Sequence, residues 1–203
     1  MFARNRQKTI RQPSEIDTPL SLSAAQRVVA QRMQESKQTI PHFYLQTSAN
    51  AEPMITRRNA ASGEKPGWDA FFMYAAGKVL KQYERMCVSF SEGQLIRQPV
   101  EAVGVAVDLE GDLYVIRVAS PALKTPEQIS VEIEALVQRL RDGDAEVRQT
   151  LPSNLTISNL GSAGVESYIA IVNPPKLQSW RWVKWRHRWS LVMGRQLSKI
   201  ASR

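Results

Sequence analysis

The spacing of apolar positions changes several times along the chain, and each change marks an element. "TPLSLSAAQRVVAQRMQESKQT" has a helical period with Val28, Val29 and Met33 on one face, and Ser21 or Ser23 stands where a cap belongs. "IPHFYLQTSAN" then reads as a strand: Pro41 breaks the helix, and aromatic and β-branched positions follow it. "AEPMITRRNAAS" predicts a short helix and "GEKPG" a turn. "WDAFFMYAAGKVLKQYERM" is the most strongly patterned helix, with Phe71, Phe72, Ala75, Val79 and Leu80 predicted on its buried side.

Alternation takes over in "CVSFSEGQLIRQ", where Glu92-Gly93 predicts a hairpin. "VEAVGVAVDLEGDLYVIRVAS" supplies two more strands around Glu110-Gly111-Asp112. "TPEQISVEIEALVQRLRDGD" is a helix with Thr125 as cap, Pro126 at its first position and Gly143 just past its end. "SNLTISNLGSAG" and "VESYIAIVN" predict two further strands with a glycine-containing turn between them. Helices and strands alternating in this way predict an α/β or α+β two-layer sandwich, and no internal repeat is present.

The chain has 203 residues, enough for one sizeable domain with arms. A single cysteine, Cys87, gives no disulfide framework, and no Cys/His spacing resembles a metal site. No apolar run reaches membrane-spanning length and Met1–Leu20 has no signal-peptide core, so a cytoplasmic location and no membrane partner are expected. The net charge of +8 suggests a nucleic-acid partner until it is mapped. Residues 1–175 are balanced, with 19 basic and 19 acidic side chains, and the whole excess lies in residues 176–203, which also hold four of the five tryptophans. The organisation read here is a polar arm or linker remnant over 1–18, a domain over 19–175 and a basic Trp/Arg-rich tail over 176–203.

Two stretches say more than periodicity does. "RVVAQRMQESKQTIPHFYL" (Arg27 to Leu45) and "LTISNLGSAGVESYIAIVNPP" (Leu155 to Pro175), with Asp69-Ala70-Phe71 between them, resemble the catalytic domain of the dihydrolipoyl acyltransferase components of 2-oxoacid dehydrogenase complexes. The resemblance runs in register over roughly residues 19–175. It implies a chloramphenicol acetyltransferase-like fold, and homotrimers or larger cores with active sites between subunits. It also implies dehydrogenase and dihydrolipoamide dehydrogenase components as partners. The implied reaction moves an acyl group between a dihydrolipoyl thiol and coenzyme A, which are substrates. A histidine acts as general base and a serine stabilises the oxyanion. The acyl group itself, acetyl, succinyl or branched-chain, is left open, as are the coenzyme A contacts.

Matching "TISNLG" residue by residue gives the oxyanion role to Ser158. Of the two histidines, His42 falls in "IPHF", where the family histidine is not the base, so a structural role is expected for it. His187, in "WRHRW", lacks the Asp-Gly that follows the family's catalytic histidine. The general base is therefore expected to be absent, and the chain as written to be inactive alone. Lipoyl and peripheral-subunit-binding domains precede this domain in the family and do not fit into residues 1–18. "GDLYVIRVAS" also lacks the family's proline.

At Lys176 the family continues with an apolar strand of the type "(Q/E)AAILAVG", whereas this chain reads "KLQSWRWVKW". The loss of one base, a C, before the Lys176 codon accounts for the change. Tryptophan has one codon, so Ser179-Trp180 and Arg181-Trp182 each span a Leu, Val or Met codon in the other frame. Trp180-Arg181 spans Ala or Glu, and Trp182-Val183 spans Gly. A permitted codon choice through Arg186 restores "QASILAVGQVE". The expected consequence is an incomplete domain, missing a core strand and the histidine, that folds poorly alone or survives by assembling with intact subunits. Two alternatives stand beside this one: a noncatalytic core subunit, and a nucleic-acid-binding protein acting through salt-sensitive contacts of an evolved basic tail.

Overall fold

The computed structural model describes residues 21–91, 93–97, 101–149, 151–161, 165 and 168–172, together with the strand backbones of 178–185 and 188–196. Helix α1 (Ala24–Thr39) is opened by Ser23, whose hydroxyl accepts from the Gln26 N–H while the Gln26 side chain accepts from the Ser23 N–H. Strand β1 (His42–Asn50), helix α2 (Glu52–Asn59) and helix α3 (Trp68–Gln82) follow. Strands β2 (Val88–Ser91) and β3 (Gln94–Arg97) form the expected hairpin as a separate two-stranded sheet.

Strands β4 (Ala102–Leu109) and β5 (Asp112–Ala119) meet at Glu110 and Gly111, both with positive φ, the geometry of a tight hairpin turn. Helix α4 (Pro126–Arg141) carries the Thr125–Gln128 capping box, and a short α5 (Ala145–Arg148) leads to β6 (Leu155–Asn159). Strands β7 (Gln178–Trp185) and β8 (Arg188–Gln196) come last.

The main sheet has the order β1-β8-β7-β6-β4-β5. Strand β6 runs parallel to both β4 and β7, while the pairs β4–β5, β7–β8 and β1–β8 are antiparallel. Helices α3 and α4 pack on each other and on β4, β5 and β6. The core lies there: Met73, Leu80, Val103, Ile116, Val118, Ile129, Leu140, Leu155 and Ile157 are all at most 1% exposed.

Three differences from the sequence reading have physical causes. The buried stripe of α3 is Ala70, Phe71, Met73, Ala76, Gly77 and Leu80, whereas Ala75 faces outward. A Cβ at Gly77 would stand 2.6 Å from the Ala122 backbone nitrogen, so the Pro121–Leu123 turn fits against the helix only there, which fixes its rotation. "VESYIAIVN" supplies no strand among its described residues, and at its end the backbone N–H and carbonyl of Val172 bond to side chains rather than to a ladder. The expected gap in the sheet is filled: residues 178–185 and 188–196 take strand positions between β6 and β1.

Candidate active site

Strand alternation aims β6 in two directions. Leu155 and Ile157 enter the core, so Thr156 and Ser158 face the other side of the sheet, with Ser158 half-buried. Asn154 anchors the start of the strand by imitating a ladder: its N–H donates to Ala102 O at 2.9 Å and its Oδ1 accepts the Ala102 N–H at 2.7 Å. On the Ser158 face, Gly104 of β4 has no room for a side chain. A Cβ there would meet Val115 Cγ1 at 2.7 Å and Ser153 Oγ at 3.0 Å.

The end of β6 is held from two directions. The Tyr168 hydroxyl donates to the Ser158 carbonyl at 2.5 Å. Asn159 donates through Nδ2 to Asp69 Oδ2 at 3.3 Å, and its Oδ1 accepts the Gly161 N–H at 2.9 Å, closing an Asx-type turn. Asp69 lies in the first turn of α3, so the helix of the "DA-F" motif is tied directly to the "TISNLG" strand. In the sheet register Ser158 is paired with Arg181 of β7.

His42 is placed elsewhere and fully used. The Val172 N–H donates to His42 Nε2 at 3.1 Å, so Nε2 is the acceptor and Nδ1 carries the proton donated to Ile40 O at 2.8 Å. Ser36, fully buried, donates its hydroxyl to the Val172 carbonyl. The "SKQTIPH" and "IVNPP" stretches therefore meet through Ser36, His42 and Val172. A ring with both nitrogens engaged by backbone cannot accept a thiol proton without breaking that arrangement. His187 lies outside the described residues.

Other chemistry near the core is quiet. Burial pushes the Cys87 thiol up, with the Glu101 carboxylate adding to the effect, so the cysteine is no ready nucleophile. Among the described residues no three of His, Cys, Asp and Glu cluster to hold a metal, and no helix is long and apolar enough to cross a membrane. A cleft of about 580 Å³ bounded by Met54, Arg57, Phe71, Lys78 and Leu123 opens on the outer side of α3 and includes no β6 residue. Sequence reasoning missed Tyr168, Asn159 and Ser36. Ser36 had a signal, since a serine on an amphipathic helix face with no cap to make needs a buried partner, but Tyr168 had none.

Comparisons with known proteins give the family and the fold. Residues 14–178 match the family described as 2-oxoacid dehydrogenases acyltransferase (catalytic domain). The dihydrolipoyllysine-residue acetyltransferase component of the pyruvate dehydrogenase complex of Zymomonas mobilis is 30% identical over 169 residues, 79% of this chain and 38% of that protein. The Rhizobium meliloti component is 30% identical over 159 residues, 73% of this chain and 36% of that protein.

The chain thus spans well under half the length of these relatives. Among solved structures, a probable dihydrolipoamide acetyltransferase from Listeria monocytogenes superposes with a TM-score of 0.81 at 20% identity, covering 91% of this chain and 88% of that one. The dihydrolipoamide acetyltransferase of Azotobacter vinelandii also gives 0.81, at 21% identity, covering 89% and 83%. These likenesses establish the fold. With four fifths of its length matched to one family pattern, the chain belongs to the catalytic-domain family of the 2-oxoacid dehydrogenase acyltransferases.

Proposed function

We propose that this chain carries the serine half of a dihydrolipoyl acyltransferase site. The carrying observation is Ser158, half-buried at the end of β6, with its carbonyl held by Tyr168 and its neighbour Asn159 tied to Asp69. In the proposed reaction a thiol of coenzyme A or of a dihydrolipoyl group attacks a thioester carbonyl. The carbonyl oxygen gains negative charge, which the Ser158 hydroxyl stabilises by donating to it; as the C=O bond re-forms, the original thioester C–S bond breaks and its sulfur leaves as the second thiol after protonation. One such donor is typically worth about 3 kcal/mol of barrier, because it is already oriented when the charge appears. The thiol proton needs a base, and His42 is committed to Ile40 and Val172. On this reading no described residue of the chain as written takes that proton, so the chain is expected to be inactive alone.

The proposed assembly is a homotrimer or larger core. It is supported by apolar side chains of the α1–β1 side that stand exposed in the single chain, among them Leu22, Val28 and Leu45. A second reading, a noncatalytic core subunit, is favoured by one observation: β7 and β8 complete the six-stranded sheet that such a subunit needs.

The test is acyl transfer from acetyl-coenzyme A to dihydrolipoamide, followed by thioester formation. The chain as written should show none above background. With one base restored before the Lys176 codon, transfer should appear, and Ser158→Ala should lower it by about 10²–10³-fold. Transfer by the chain as written at a rate indifferent to Ser158→Ala would overturn the proposal. Assembly with intact subunits but no transfer from the restored chain would favour the noncatalytic reading.

A further inference from the structure

The segment after Lys176 presents two facts that pull against each other. Its composition breaks from the rest of the chain, and the family match ends at residue 178. Yet β7 and β8 occupy regular positions in the middle of the sheet. Their register explains how both hold. In the ladders Trp180 pairs with Ile157 of β6, and across the hairpin Trp189, Leu191 and Met193 pair with Lys184, Trp182 and Trp180. In sequence Trp180 and Trp182 flank Arg181, and Trp189, Leu191 and Met193 recur at every second position, so these two stretches keep the period of two of a strand, which Val183-Lys184-Trp185 interrupts.

The genetic code supplies a reason. A Leu, Val or Met codon ending in TG, followed by a codon beginning with G, is read as tryptophan, TGG, when the frame is displaced by one base. An Ala codon GCG displaced in the same way is read as arginine, CGN. A strand written apolar–Ala–apolar–Gly therefore becomes Trp–Arg–Trp–Val, the order found from Trp180 to Val183. The displacement changes residue identities but not the number of codons, so the two-residue alternation survives it.

The same reading extends beyond Arg186. Arg188-Trp189 spans another Leu, Val or Met codon, and Trp189-Ser190 spans Val or Glu. Leu191-Val192 spans Arg, Gly, Ser or Cys, Val192-Met193 spans Asn, Asp, His or Tyr, and Met193-Gly194 can only span Gly. Asn-Gly or Asp-Gly, one residue beyond an apolar stretch, is the signature of a tight turn. No stop codon is forced anywhere between Lys176 and Arg203.

We propose that residues 176–203 are the one-base-displaced image of a coding segment that specifies a core strand in the β7 slot. A second apolar stretch, closed by a turn at the Val192–Gly194 codons, follows it. Strand β7 keeps its place in the sheet because displacement preserves alternation. The proposal does not depend on acyl transfer: it concerns which sheet the gene encodes, whatever the sheet does.

The test reads the gene from an independent preparation of its DNA. The displaced frame should be open through the Arg203 codon. Arg181 should be encoded by CGN, giving Ala rather than Glu, and Ser190 by TCN, giving Val rather than Glu. A stop codon in that frame, or AGR at Arg181 together with AGY at Ser190, would overturn the proposal. A protein measurement adds an independent arm. The restored chain should unfold at a higher urea concentration than the chain as written, because Leu, Val and Ala suit strand positions that Trp and Arg overfill or charge. An equal or lower midpoint would also count against it.

Discussion

Helices α1 and α3 are nearly equal in length, at 16 and 15 residues, and both have an apolar face in sequence. They are buried to very different depths. Helix α3 sinks Ala70, Met73, Ala76 and Leu80 to 1% exposure or less, whereas Ser36 is the one buried residue of α1. The strands divide in the same way: β4 and β6 hold core side chains, while β1 is exposed from Tyr44 to its end. One half of the molecule is held by apolar area and the other by hydrogen bonds, through the ladder to β8 and the Ser36–Val172–His42 contacts. A half held mainly by directional bonds is organised but leaves apolar surface free, the surface on which the proposed assembly rests.

The largest expected effect tests that division directly. Leu80→Ala or Ile116→Ala removes a fully buried side chain and should cost about 2–5 kcal/mol in equilibrium denaturation. Leu45→Ala, at a side chain 54% exposed, should stay within about 0.5 kcal/mol at low protein concentration. Equal losses at both sites would break the comparison. A Leu45→Ala loss that grows with protein concentration would sharpen it, by placing β1 in a subunit contact.

Next in size is the polar arrangement. Ser36→Ala leaves the buried Val172 carbonyl without its partner, at a cost of about 1–3 kcal/mol. His42→Ala leaves the Val172 N–H unpaired and should speed its hydrogen exchange. It should leave amides of α3 protected, since local openings need not propagate into the better-packed half. Loss of protection throughout α3 would mean that the two halves unfold as one unit.

How much of this was legible depended on which force holds each part. Elements fixed by local chemistry were readable: the Thr125 cap, the Glu110-Gly111 turn and the β2–β3 hairpin, with the cap of α1 narrowed to Ser21 or Ser23 and found at Ser23. The motif containing Ser158 was read as a strand, which β6 is, while the role of Ser158 stays with the proposed function; His42 was read as structural before its backbone partners were known. Contacts between distant segments were not legible. Nothing in "ESYIAIVN" announces that Tyr168 reaches Ser158 or that Val172 gives its backbone to Ser36 and His42. The tail misled because its composition, which sequence reading weighs heavily, suggested a break in the sheet, whereas the backbone ladders set β7 and β8 between β6 and β1.

The smallest expected effect is electrostatic and confined to the end of the helix layer. Arg139 donates from Nε to Asp144 Oδ2 at 2.7 Å and from a terminal nitrogen to Glu146 Oε2 at 2.8 Å. Asp144 also caps α5 by accepting the Glu146 N–H at 2.9 Å. The Arg139 hydrogen bond, followed by the Glu146 N–H, holds the Asp144 carboxyl below its ordinary range. As pH falls below about 4, the unfolded chain takes up this proton before the native one does, so stability falls with pH until the native carboxyl is also protonated. Asp144→Asn should therefore flatten a small part of the acid limb by slightly lowering stability near neutrality, where the ionised carboxylate contributes, while its remaining Oδ1 can still accept the Glu146 N–H. Because the pair is exposed, the change should be modest and should shrink in high salt. An acid limb unchanged by Asp144→Asn at low salt would show that the Arg139 contact is too mobile to couple to folding, leaving α4 held by its apolar face and its Thr125 cap.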